Sequence, residues 1–270
     1  MEWQYISSKS NQLVIRLAKL KEKKYRKAEG LFKFDGIKLF FEAANSGAPI
    51  EYVLVCESAS GKYCAKIEGA TSCQKLYVLA DEVFSKLTDE QSPEGVITIC
   101  SNLENIENID DVSELSAKAF GKRVLMLESV RDVGNMGTII RSAKAFGIDL
   151  LVISADCADL YNSKTIRASM GALFTQKIVW VSSIPQAVCA IKQNGSHVYA
   201  AALVRDAKKL GEVELKIGDA ILIGNEGHGL SEESIDACDE CLYIPMEAGS
   251  ESLNASIAAS VCMWELYKIR

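Results

Sequence analysis

Three short segments in the second half of this sequence concentrate residues able to do chemistry. The first runs from Gly134 and Asn135 through Gly137 and Arg141 to Gly147, directly after the apolar run RVLMLES. A glycine turn there opens a helix whose N-terminal amides face the carboxyl end of the strand, where ligands bind in open α/β sheets. Arg141 lies one turn inside, beside Gly137 at i,i+4, and a cation in that place can grip a phosphate. The alternative is a surface arginine on an amphipathic helix. In the second segment, ILIGNEGHGLS (221–231), Gly224, Asn225, Glu226, Gly227 and Gly229 follow a buried strand, and Ser231 is placed to cap the next helix. Glycine-dense loops let a ligand approach backbone, although a plain tight turn also uses glycine. The third, IPMEAGSESLNASIAA (244–259), ends a strand in a proline turn and starts a helix near Ser252. Ser252 and Asn254 stand at the mouth of that helix, as functional groups or simply as caps. Leu253, Ile257, Val261 and Trp264 continue it as an apolar stripe.

Other chemistries lose support. There are two histidines, His197 and His228. His197 falls in an expected strand and reads as structural, so a histidine triad or a histidine-rich metal site is disfavoured. Cys238 and Cys241 have the spacing of half a zinc site, but no second pair accompanies them, and buried thiols are the better reading. No metal is expected. Neither a GxxxxGK[ST] loop nor GxGxxG occurs, which removes P-loop and dinucleotide signatures.

The elements that must position these residues form two patterns. RVLMLES, DLLVIS, KIVWV, HVYAAA, AILIGN and CLYIP are short apolar runs typical of buried parallel strands. Helical segments at 137–147, 161–171, 184–194, 231–237 and 252–268 lie between or after them. This alternation predicts an α/β domain with a parallel sheet covered on both faces, over 122–270. Earlier in the chain, a helix over 10–27 carries Leu13, Arg16, Leu17, Leu20 and Lys24 on one track. The segments LFKFD, IEYVLVCE, KLYVLA and GVITICS then give a smaller α/β domain over 1–105. The acidic, Asn-rich 106–121 reads as a linker.

The chain has 270 residues, 49% apolar and 24% charged, which fits two globular domains better than one or three. No run of apolar residues is long enough to span a membrane, and no secretory signal is expected at the N-terminus. Nine cysteines then read as reduced thiols of a cytoplasmic protein. The net charge of −6 discourages a nucleic-acid partner, but it conceals an asymmetry. Residues 1–40 hold ten Lys/Arg against four Asp/Glu, a balance of +6, and the remaining 230 hold twenty against thirty-two, a balance of −12. Arg16, Lys19, Lys23, Lys24, Arg26 and Lys27 make a basic entry segment on an acidic body, a different object from a uniformly acidic enzyme.

Taken together, the three segments resemble the ordered motifs of the SpoU/TrmH family of RNA ribose 2′-O-methyltransferases. NxGxxxRxAxxFG is matched at Asn135, Gly137, Arg141, Ala143, Phe146 and Gly147, IGNEGxGLS at 223–231, and IPMxxGxxSLNxSxAxS around 244–260. YNSKTIRASMGALF (161–174) is similar to the family's intervening stretch. Residues 25–57 resemble the ribosomal-L30e-like substrate-binding domain that often precedes the catalytic one, with Asp35-Gly36 where Glu-Gly is usual.

The resemblance implies a trefoil-knotted catalytic domain that binds S-adenosylmethionine. It also implies a homodimer, and ribosomal RNA as substrate ahead of transfer RNA, with Arg16, Lys19, Lys23, Lys24, Arg26, Lys27, Arg141 and Arg167 as the residues expected to hold the RNA. Carried over, the cofactor environment is Ala201, Ala202, Gly224, Asn225, Gly229, Ile244, Met246 and Leu253. The implied catalytic shell is Arg141, Asn135, Glu226, Ser252 and Asn254. Because arginine stays protonated, Arg141 is expected to bind the target phosphate and orient the 2′-oxygen, with Glu226 as fixer of the guanidinium or as a rival base. Competing readings are an RNA-binding protein that keeps the fold without activity, and a different doubly wound enzyme.

Overall fold

The computed structural model describes residues 2–247 and 252–269. The chain divides into two compact units, Met1–Glu104 with Asp159–Thr175, and Asn105–Ala158 with Gln176–Arg270. In chain order the first stretch holds β1 (Gln4–Ile6), α1 (Gln12–Ala18), α2 (Lys23–Glu29), β2 (Leu31–Asp35), α3 (Ile37–Asn45), β3 (Ile50–Cys56), α4 (Glu57–Glu68), β4 (Leu76–Leu79), α5 (Asp81–Leu87) and β5 (Val96–Ser101). There follow β6 (Ile106–Ile109), α6 (Ser113–Ala119), β7 (Val124–Leu127), α7 (Val133–Ala145), β8 (Leu150–Ser154) and α8 (Ser163–Ser169). The remainder is β9 (Ile178–Val181), α9 (Ile184–Lys192), β10 (Val198–Ala201), β11 (Lys208–Lys209), β12 (Ala220–Ile223), α10 (Glu232–Ala237), β13 (Glu240–Tyr243) and α11 (Ala255–Lys268).

The first unit is built on a five-stranded mixed sheet in the order β1-β4-β3-β5-β2. Because side chains alternate along a strand, Tyr52, Leu54 and Cys56 of β3 join one core with Val14, Leu17 and Leu20, and Val53 and Val55 join another with Phe40, Tyr63 and Ile67. A sheet covered on both faces explains why IEYVLVCE is apolar almost throughout. The single helix expected over 10–27 is interrupted: a 3-10 turn at Lys19–Lys21 ends α1, and Glu22 is extended at φ −95° and ψ 132°. Breaking the helix lets Arg26 turn inward. The residue is 7% exposed; its guanidinium donates to the Leu20 and Lys21 carbonyls at 2.7 Å each, and pairs with Asp159. Arg26 is therefore corrected from an RNA-gripping residue to a structural one, since a buried and paired cation is closed to phosphate.

Segment 159–175, expected within the catalytic domain, clusters with the first unit instead. Aromatic packing accounts for this: Tyr161 stacks on Phe32 at 4.4 Å between centroids, and Phe174 meets Phe34 at 5.2 Å. Arg167 goes with it, donating to Glu90 at 2.8 Å.

The second unit carries eight parallel strands in the order β11-β13-β10-β12-β7-β8-β9-β6. Val124, Met126, Leu150, Val152, Ala220 and Leu222 face α6 and α9 on one side. On the opposite side α11 lies against α7 and β12. The stretch 106–121 is no linker: β6 pairs with β9 at the sheet edge, and Leu115 and Ala119 of α6 are buried in the core. Short Asn- and Glu-bearing edge strands such as IENI escape a search for apolar periodicity.

Candidate active site

Parallel topology brings the second and third chemical segments to one edge. β13, β10 and β12 are neighbours and run in the same direction, so their carboxyl ends deliver Ile244–Met246, Ala201–Ala202 and Gly224–Asn225 side by side. The Ala202 amide donates to the Leu242 carbonyl at 3.0 Å, which ties two of these ends together. β7 pairs with β12 and feeds α7, adding the first segment.

The glycine turn expected before α7 is replaced by a cap. Asp132 accepts from the Asn135 amide at 2.7 Å, so the helix begins at Val133 and Gly134 and Gly137 lie inside it. Glycine is sterically required at 224 instead. A Cβ there would come within 2.6 Å of the Gly229 carbonyl oxygen, because the loop folds back on itself. Asn225 and Gly229 exchange backbone hydrogen bonds at 2.9 and 3.0 Å, and Gly229 takes φ +71°.

Asn225 also locks the loop from within. Its Oδ1 accepts from the Gly227 and His228 amides at 2.8 and 3.1 Å, and its Nδ2 donates to the Ser129 carbonyl at 2.7 Å. Glu226 is left exposed beside it. Its Oε1 accepts from Asn135 Nδ2 at 2.9 Å, and among the described residues its Oε2 is reached only by Asn225 Nδ2, at 3.4 Å.

The third segment closes the arrangement. Asn254 Oδ1 caps α11, accepting from the Ser256 amide at 3.0 Å, while its Nδ2 donates to Asn135 Oδ1 at 3.0 Å. A directed chain of hydrogen bonds thus runs Asn254 to Asn135 to Glu226, one member from each segment. Asn254 is thus a helix cap whose nitrogen also reaches Asn135. Arg141 lies six residues beyond Asn135 on α7, about 9 Å of helix rise, and is exposed, with no hydrogen-bond or ion-pair partner among the described residues. Ser252 is exposed one turn before α11, and Gly249 of the same motif lies outside the described residues.

Exposed apolar side chains surround the strand ends. Leu203 is 75% exposed, and Met246 and Leu253 are 37% exposed each. Ala201, Ala202 and Ile244 are half-buried. Of the basic candidates, Arg16 pairs with Glu29, and Lys19 and Lys24 lie over the Tyr25 ring at 5.5 and 4.8 Å; Lys23 and Lys27 are exposed.

Two features were missed by sequence reasoning. One is the Ser129–Ser154–Asp156–Arg131 cluster. Ser129 and Ser154 donate to Asp156 at 2.6 Å each and Arg131 at 2.8 Å. Burial alone would raise the Asp156 carboxyl, but these donors and the Arg131 charge outweigh it and hold the group at about 2. The stabilisation is accordingly present above pH 4 or so and lost as pH falls through about 2. The other is Glu128, which accepts from the Ser231 amide and hydroxyl at 3.0 and 2.9 Å and from the Ser234 hydroxyl at 2.7 Å, fixing the start of α10. Neither follows from spacing, because serine–carboxylate pairs have no period. The Cys238 thiol is pushed up to about 12, chiefly by burial. Among the described residues no group of three or more His, Cys, Asp or Glu could hold a metal ion.

A family model described as SpoU rRNA Methylase family matches residues 122–264, and one described as MRM3-like substrate binding domain matches residues 11–98. The chain is 31% identical over 261 residues to the 23S rRNA (guanosine(2553)-2'-O)-methyltransferase RlmP of Bacillus subtilis (strain 168), covering 97% of this chain and 98% of that protein. A solved rRNA methyltransferase from Sinorhizobium meliloti superposes with a TM-score of 0.84 at 23% identity, over 99% of this chain and 98% of that one. An AdoMet-bound rRNA methyltransferase structure from the same organism gives 0.83 at 24%, over 98% and 97%. At these identities the two structures establish likeness of fold.

Proposed function

This chain belongs to the SpoU rRNA methylase family, and we propose that it transfers a methyl group from S-adenosylmethionine to a ribose 2′-hydroxyl of ribosomal RNA. The hydrogen-bond chain Asn254–Asn135–Glu226, with Arg141 further along α7 and unpartnered among the described residues, carries this reading. Large-subunit RNA is the favoured substrate, by likeness to the RlmP relative, and transfer RNA is the alternative.

The strand-end edge suits the cofactor. Small residues at 201 and 202 leave room for a flat ring, and Leu203, Met246 and Leu253 offer uncovered apolar surface. Ala201, Ala202, Gly224, Asn225, Gly229, Ile244, Met246 and Leu253 would hold it. When bound, S-adenosylmethionine supplies a sulfonium methyl, whose S–C bond breaks as the O–C bond forms, leaving a neutral thioether. Arg141 grips the phosphate beside the target and keeps the 2′-oxygen in line, and such alignment is worth up to roughly 7–11 kcal/mol of barrier. Arginine does not give up its proton in this range. Glu226 Oε2, whose nearest donor among the described residues stands at 3.4 Å, is the oxygen best placed to take the hydroxyl proton as the new bond forms. Asn135 and Asn254 hold that carboxylate in position, and Ser252 completes the polar shell.

Lys19, Lys23, Lys24 and Lys27 give the first unit its sequence-independent hold on RNA, assisted by Arg16 and Arg167. The protein acts as a homodimer through α11. Ile257 is 53% exposed, Trp264 and Tyr267 are 47% exposed each, and the Phe146 ring stands 5.9 Å from Trp264, an aromatic cluster of the kind that anchors interfaces. A ribosomal substrate accords with a cytoplasmic location, and among the described residues no helix is long and apolar enough to cross a membrane.

Arg141→Ala should reduce methyl transfer to 23S rRNA by a factor of a hundred or more while leaving S-adenosylmethionine affinity unchanged, and Glu226→Gln should slow it by roughly 10²–10⁴. Full turnover by either variant contradicts its role. Replacing Lys19, Lys23, Lys24 and Lys27 with Gln should flatten the salt dependence of RNA binding by roughly 0.7–0.9 in slope for each phosphate no longer neutralised. An unchanged slope would make these lysines a solvated helix face. In light scattering the wild-type chain should have twice its monomer mass and Trp264→Glu the monomer mass; a monomeric wild type excludes the dimer.

A further inference from the structure

A cleft of about 330 Å³ adjoins the hydrogen-bond chain, and Asn225 and Gly229 of the loop that would hold the cofactor form one side of it. Its lining includes Glu128, Ser129, Arg131, Asn225 and His228. We propose that this cleft receives the base of the target nucleotide, turned out of its stack; the inference rests on the methyltransferase reading above.

The position of the cleft points to a base. Asn225 lines it, and the Nδ2 of that residue lies 3.4 Å from Glu226 Oε2. A nucleobase is joined to C1′, the carbon next to the one bearing the 2′-hydroxyl. Whatever binds the hydroxyl at Glu226 must therefore have the base within a few ångströms, and the cleft begins there. Its volume lies at the lower end of the range for small-molecule sites, which suits a single base. Enzymes that act on a single nucleotide commonly extrude it into such a pocket.

The free chemistry of the lining agrees. Glu128 is fully engaged with Ser231 and Ser234, and Asn225 with the loop backbone and Ser129. Asp156, behind Ser129, neutralises Arg131 at 2.8 Å. What is left is the outer edge and face of the Arg131 guanidinium and the exposed imidazole of His228, which has no partner among the described residues. Both are planar. Each can stack on a base, and both can donate to the acceptors that guanine presents at O6 and N7. A phosphate is disfavoured, because the Glu128 carboxylate lines the cleft and the Arg131 charge is already balanced.

The cleft wall is also rigid. Ser129 sits at φ +56°, a left-handed conformation costly for a residue with a Cβ, and its amide is held there by Ser154 Oγ at 2.8 Å. The wall is thus fixed before any ligand arrives.

The test uses the shortest 23S rRNA transcript that the wild-type chain methylates and the same transcript made abasic at the methylated nucleotide, its ribose intact. Wild type should lose at least about ten-fold in kcat/KM on the abasic RNA. Arg131→Ala and His228→Ala should each lose about five-fold or more on intact RNA, lose nothing further on abasic RNA, and keep the wild-type Kd for S-adenosylmethionine. Equal losses on both transcripts would mean a backbone contact and overturn the proposal. So would wild-type rates in both variants, or indifference of the wild type to the missing base. Failure of the wild-type chain to methylate any transcript would instead overturn the parent reading, and this one with it.

Discussion

The carboxamide of Asn254 does two things at once, and the site depends on both. Its oxygen must face the first amides of α11, which only donate, so its nitrogen must face outward. That nitrogen meets the oxygen of Asn135, which obliges the Asn135 nitrogen to point at Glu226, a carboxylate that only accepts. Three segments far apart in sequence are thereby joined in one direction, with no freedom to flip either amide. Aspartate at 254 would cap the helix but could not donate, and serine would cap it without reaching Asn135. Arg141 is outside this chain, and so keeps its charge available for a ligand.

The sheet makes the chain of hydrogen bonds possible. Parallel neighbours present all their carboxyl ends at one edge, which is why loops after β10, β12 and β13 can share a ligand and why α7 starts next to them. Gly224 allows the loop after β12 to double back closely, and Asn225 fills the turn with its own side chain. Substrate chemistry can then rest on main chain and a few polar groups.

Much of this was legible in the sequence. The six apolar runs of the second half became strands, and the helices over 184–194 and 231–237 formed within two residues of expectation. Long apolar runs report burial directly, whatever they pack against. What periodicity could not report is which core a segment joins. Residues 159–175 read as part of the catalytic domain, yet Tyr161 and Phe174 find their aromatic partners Phe32 and Phe34 in the first unit. A local break at Glu22 turned one expected helix into two and carried Arg26 inside. The polar residues of the motifs were identifiable only as a set, through family resemblance; their pairing into a directed chain, and the Arg131–His228 cleft, required coordinates.

The charge asymmetry of the chain also takes a narrower form. Of the ten basic residues among the first forty, Arg26 and Lys33 are buried, Lys33 donating to the Leu87 carbonyl at 2.6 Å and to Asp89 at 2.7 Å, and Arg16 is paired with Glu29. Lys9, Lys21 and Lys24 are paired as well, with Glu82, Asp89 and Glu22, so the hold on RNA that we propose rests on a few exposed lysines rather than on the whole basic segment. In the catalysis we propose, by contrast, Asn254 and Asn135 act as one unit on Glu226. A double-mutant cycle on kcat/KM for methyl transfer, with Asn135→Ala, Asn254→Ala and the pair, measures that directly. A coupling above about 1 kcal/mol is expected, the pair being hardly worse than either single change; effects that simply add would contradict it.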